Sequence, residues 1–97
     1  MSRAAVERRL TELGTRLRQA REELVVADEQ LAHFADEADD ARIRAMVSET
    51  PLASQEHREA QRHADAMLRH RAEVVEEIAR LEVAQDDLLD RLVSEPT

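Results

Sequence analysis

The sequence predicts an all-α protein: an antiparallel two-helix coiled-coil hairpin that assembles into a four-helix bundle or docks on a partner. Three observations predict it. Over residues 6–45, apolar side chains recur at alternating steps of four and three, the spacing of a coiled-coil seam. The same alternation returns over residues 60–92. Between the two stands Pro51, which breaks a helix interior but suits the first turn of a new helix.

Composition agrees with this reading. A chain of 97 residues allows one domain. With one aromatic residue (Phe34), one glycine (Gly14) and two prolines (Pro51 and Pro96), neither a layered sheet nor a wide globular core is plausible. Alanine, glutamate, arginine and leucine dominate, as in long helices.

The first helix is expected over residues 3–47, with Ser2 as its cap. Its seam is Val6, Leu10, Leu13, Leu17, Ala20, Leu24, Ala27, Leu31, Phe34, Ala38, Ala41 and Ala45. A helix of about 42 residues would run roughly 60 Å and bury a single stripe, so it needs a partner along its length. Gly14 flanks the seam and weakens the helix by about 1 kcal/mol relative to alanine. The turn is placed at about 48–53, with Thr50 or Ser54 as the next cap. The second helix follows over about 52–93. Its seam is Ala60, Ala64, Met67, Arg71, Val74, Ile78, Leu81, Gln85, Leu88 and Leu92. Residues 94–97 read as a frayed tail.

Charge sets the pairing as antiparallel. Six arginines (Arg3, Arg8, Arg9, Arg16, Arg18, Arg21) make the start basic, while residues 22–40 hold eight acids and no base. The second helix repeats that order, so folding back at Pro51 lays basic on acidic at both ends. Partner numbers summing to about 98 mesh the seams and bring Phe34 near Ala64, Ala20 near Ile78 and Ala27 near Arg71. A sum of about 105 also keeps the seam but needs a longer loop.

Catalytic chemistry is not expected. There is no cysteine, no glycine-rich phosphate loop and no G-x-S-x-G elbow. Paired carboxylates need a sheltered cleft to shift their pKa values, and two helices supply none. His63 and His70 are seven residues apart, too far to share an ion, and nothing near Glu59 and His63 completes a ligand set. No metal and no cofactor are expected. The net charge of −8 argues against direct nucleic-acid binding. All fourteen basic residues are arginine, a bias that reads as a GC-rich genome. The lack of a long apolar run and of a signal-peptide core points to a cytoplasmic protein without a membrane span.

What remains is partner binding. Val25 and Val26 lie off the seam, as do Ile43, Met46 and Val47, apolar spots that a two-helix structure leaves exposed; Val25, Val26, Leu68, Val75 and Leu89 suggest a second contact surface. Asp36, Asp39 and Asp40, with Glu37, form the densest acidic cluster. It holds a divalent cation, engages a basic partner surface, or is a solvated face balanced by Arg42 and Arg44. Arg71, polar at a seam position, fixes register or receives a partner's acid; alternatively its stem packs on Ala27 and its head reaches water, Asp28 or Glu29.

Two resemblances arise from these residues. A helical hairpin with Glu49 at its turn resembles the polymerase secondary-channel factors of the Gre and DksA type, without their paired tip acids or globular second domain. Residues 21–43, with His33-Phe34 in place of two aromatics, resemble a helix of small actinobacterial coiled-coil proteins, a group that includes the anti-sigma factor binding WhiG with cyclic di-GMP. The nucleotide motif of that factor, E-x3-S-x2-R-x3-Q-x3-D, does not occur; its nearest frame (Asp28, Ala32, Ala35, Asp39, Ile43) keeps only the first acid. The resemblance implies protein binding, with a sigma factor or polymerase subunit as partner, and not nucleotide sensing. The expectation is a non-catalytic interaction protein, a homo-oligomer acting as a regulator of transcription machinery. The alternative is a scaffold that mainly self-associates.

Overall fold

A computed structural model of the chain describes residues 1–94, which form two α-helices and no strand: α1, Arg3–Ser48, and α2, Pro51–Ser94. The fold is an all-α helical hairpin. The expected tail past Ser94 lies outside the described residues.

Both helices begin on a hydroxyl. The Ala5 N–H donates to Ser2 Oγ at 3.1 Å, and the Val6 N–H donates to the Ser2 carbonyl at 3.0 Å. Thr50 repeats the arrangement: its Oγ1 accepts from the Ala53 N–H at 3.1 Å and its carbonyl from the Ser54 N–H at 3.1 Å. These bonds satisfy donors that a helix start leaves unpaired, and Pro51 fills the first helical position, where no N–H is needed. Ser54, the other candidate cap, lies inside α2.

Helix α1 stops at a left-handed residue. Glu49 has φ of 51°, and its N–H donates to the Ala45 carbonyl at 3.1 Å. That is the single-bond left-handed cap, here without the usual glycine. The reversal therefore needs only Glu49 and Thr50, against the six residues anticipated, and α2 starts one residue early at Pro51. A continuous helix kinked at Pro51, which the seam pattern also permits, is not formed.

Contacts divide the chain into two compact units. One joins Met1–Glu23 to the chain from Val74 onward; the other is Leu24–Glu73. In the first, the terminal unit, Val6, Leu13, Leu17, Ala20, Leu81 and Leu88 are buried together, with Leu10, Ile78, Ala84 and Leu92 packed against them. Each buried leucine or valine contributes about 1.5–3 kcal/mol. Arg16 donates to Glu77 at 3.0 Å, and Arg21 lies 3.9 Å from Glu82, so basic α1 meets acidic α2 within this unit.

The second, the turn unit, has a different interior. Its buried apolar residues are Ala27, Ala38, Ala41, Ala53 and Ala64, while Leu24, Leu31, Phe34 and Met67 are half-buried. A buried methyl group adds about 0.8 kcal/mol, so each alanine contributes less than the leucines of the terminal unit. The seam of α2 runs further back than its anticipated start at Ala60: Ala53 is buried and His57 half-buried. Phe34 meets His63 edge-on, and Arg71 pairs with Asp28. Both neighbourhoods fit the register near 98; the alternative would slide each pair apart by about 10 Å.

Candidate interaction surfaces

With every seam position buried or half-buried, what the helices present to water is everything else. Heptad geometry sorts that remainder by face. In α1 of the turn unit, Val25, Glu29, Ala32, Asp36, Asp39, Ile43 and Met46 follow alternating steps of four and three, and Val26, His33, Asp40 and Val47 recur every seven. Both series point away from the seam.

Exposure agrees. Val25 is 58% exposed, Val26 49%, Ile43 52%, Met46 67% and Val47 79%, and the three aspartates and His33 are exposed as well. The outward side of α1 thus reads apolar, acidic, apolar. Sequence reasoning had named the two valines and the three aspartates as partner-binding residues but left out Ile43, Met46 and Val47. Their signal was present: an i, i+3, i+4 set one heptad after Asp36, Asp39 and Asp40.

The aspartates have no cation within ion-pair distance among the described residues. The anticipated balance from Arg42 and Arg44 is not made. Those arginines fall on the two flanks of the seam, whereas the aspartates lie toward the back of the helix, Asp40 also reaching the groove that Arg44 lines. Arg42 donates instead to Met46 Sδ at 3.8 Å.

Arg71 sits where its packing and pairing roles meet. Its guanidinium is engaged by Asp28 of the same chain, with the side chains 39% and 50% exposed respectively. It therefore fastens α2 to α1 inside the turn unit, and a partner's acid would have to compete with Asp28. Leu68, 54% exposed, lies on a flank of α2 in this unit, away from the outward side of α1. Val75 and Leu89, 40% and 44% exposed, belong to the terminal unit, two heptads apart on one flank of α2.

Histidine and carboxylate chemistry in the turn unit is local. Phe34 meets His33 edge-on at 5.5 Å and His63 at 5.9 Å, and His33 Nε2 lies 3.2 Å from Glu37. A groove of about 400 Å³ runs over Ala41 and Ala60 and is lined by Glu37, Asp40, Arg44, Glu56, Glu59 and His63. It is open to solvent along its length, so its carboxylates stay hydrated. Among the described residues no group of three or more histidine, aspartate or glutamate side chains could hold a metal ion, and no helix is long and apolar enough to cross a membrane.

The fold and these surfaces define a helical hairpin whose seams are internally satisfied and whose outward faces carry apolar and acidic stretches. No protein-family model, curated protein or solved structure matches the chain.

Proposed function

We propose that this chain is a non-catalytic protein–protein interaction module that binds through the outward faces of its helices. One observation carries the reading: the seams close within the hairpin, yet large apolar side chains such as Val25, Val26, Ile43, Met46 and Val47 stay on the solvent side. Exposed apolar residues scattered singly are ordinary, but spaced sets on one face mark contact surfaces. Within this reading the partner class is cytoplasmic transcription machinery, a sigma factor or polymerase subunit, by analogy with the actinobacterial hairpins that residues 21–43 resemble. The test is capture from native lysate of a GC-rich actinobacterium. Recovery of such a subunit, lost when Val25 and Val26 are changed to glutamate, supports the proposal; no loss on substitution contradicts it.

A second reading rests on Val75 and Leu89. Two half-exposed apolar residues on one flank of α2 are what a homodimer forming a four-helix bundle would cover. Sedimentation of purified protein decides it. A monomer of 11.1 kDa contradicts self-association, and a dimer that Leu89→Glu dissociates supports it.

A further inference from the structure

We infer that the outward side of α1 between Val25 and Val47 is a docking face for a partner helix that is basic at its middle and apolar at both ends. The inference rests on the interaction reading above and names the occupant's chemistry. All of the face lies within the turn unit. At one end stand Val25 and Val26, at the other Ile43, Met46 and Val47, and every one is about half or more exposed. Between them, Asp36, Asp39 and Asp40 project from the same side with no cation at ion-pair distance among the described residues.

The order of these groups fixes the partner. Twenty-two residues separate Val25 from Val47, so the face is about 33 Å long and matches a helix of about six turns. Apolar side chains three and four apart are the anchors by which one helix packs along another. Three carboxylates in the middle require arginine or lysine opposite them, because burying them without counter-charge is unfavourable.

The same face of a second copy does not satisfy these demands. The acidic stretch lies near the centre of the face, so antiparallel or parallel pairing with itself sets carboxylates against carboxylates. Anionic lipid and nucleic acid are repelled for the same reason.

The test uses the full chain and a synthetic helix of about 22 residues, with leucines near both ends and arginines at its centre. A control peptide keeps the leucines and replaces the arginines with glutamate. The expected result is binding of the arginine peptide alone, with amide chemical-shift changes concentrated in residues 25–47. Joint substitution of Ile43→Glu and Val47→Glu should weaken binding by at least about tenfold, even though it adds negative charge. Met46→Gln should weaken it more mildly. Changing the three aspartates to asparagine should weaken binding and flatten its salt dependence. Circular dichroism confirms that each variant stays helical.

Absence of binding overturns the inference. So does equal or tighter binding by the doubly glutamate-substituted chain, which would mean attraction to net charge alone. A wild-type dimer that the same two substitutions dissociate would assign the face to a second copy and also overturn it. A native partner captured by the chain but indifferent to Ile43→Glu and Val47→Glu removes this face while the broader interaction reading stands.

Discussion

Arg71, at a seam position of α2, reaches past the core to the carboxylate of Asp28 on α1. Its stem therefore occupies a place where the neighbouring seam residues are apolar, and its charge is met at the edge of the turn unit. Partly exposed pairs contribute about 0–1 kcal/mol, and an aliphatic residue at the same site gains burial. Asp28→Asn should accordingly lower stability by no more than about 1 kcal/mol, while Arg71→Leu should leave it unchanged or raise it. Thermal melts followed by circular dichroism check both; a large loss in Arg71→Leu would show that the pair itself holds the unit together.

Leu17 is 2% exposed in the core of the terminal unit, whereas Leu68 in the turn unit is 54% exposed. Leu17→Ala should cost about 2–5 kcal/mol, and Leu68→Ala no more than about 0.5 kcal/mol. The same contrast holds for charge. Leu24→Asp should melt the helices, while Asp39→Ala should barely alter helicity. Denaturant titrations give the four values, and similar losses at Leu17 and Leu68 would contradict the division between seam and outward face.

Gly14 lies inside α1, and a Cβ added there would meet nothing within 4 Å. No close backbone approach explains the glycine. Gly14→Ala should therefore stabilise the free chain by about 0.5–1 kcal/mol, a rise of several degrees in melting temperature. A fall would contradict the open space around that flank.

Glu49 and Thr50 carry opposite expectations. A side chain at φ of 51° is strained relative to glycine, so Glu49→Gly should stabilise by about 1 kcal/mol. Thr50→Ala removes the acceptor for the Ala53 N–H and should cost about 0.5–2 kcal/mol. Thr50→Ser keeps the oxygen and should restore most of the loss, which separates capping from packing. Urea midpoints of the three variants provide the comparison.

Much of this architecture was legible because a heptad pattern is a direct statement of which side of a helix is covered. The twelve seam residues of α1 and ten of α2 could be read off, as could the Ser2 cap, while the second cap stood between Thr50 and Ser54. What escaped the pattern had physical causes. Ala53 and His57 were missed because one alanine and one histidine carry little apolar signal next to a proline. The two-residue turn was missed because glutamate in the left-handed region has no sequence signature, unlike glycine. Arg71 was seen, but two acids were within reach of it, and only side-chain geometry selects Asp28. The outward face of α1 was half legible: the valines and aspartates were picked out singly, and their alignment with Ile43, Met46 and Val47 emerges only when all eight are set on one helix side.

The compactness of the Glu49–Thr50 junction has an outcome for how this chain could tolerate change. A residue added or deleted in α2 just past this corner rotates every later side chain by about 100° about the helix axis. A single-codon insertion would thus swing Leu81 and Leu88 out of phase with Leu13 and Leu17. Insertion of seven residues, close to two full turns, would instead return those leucines to phase.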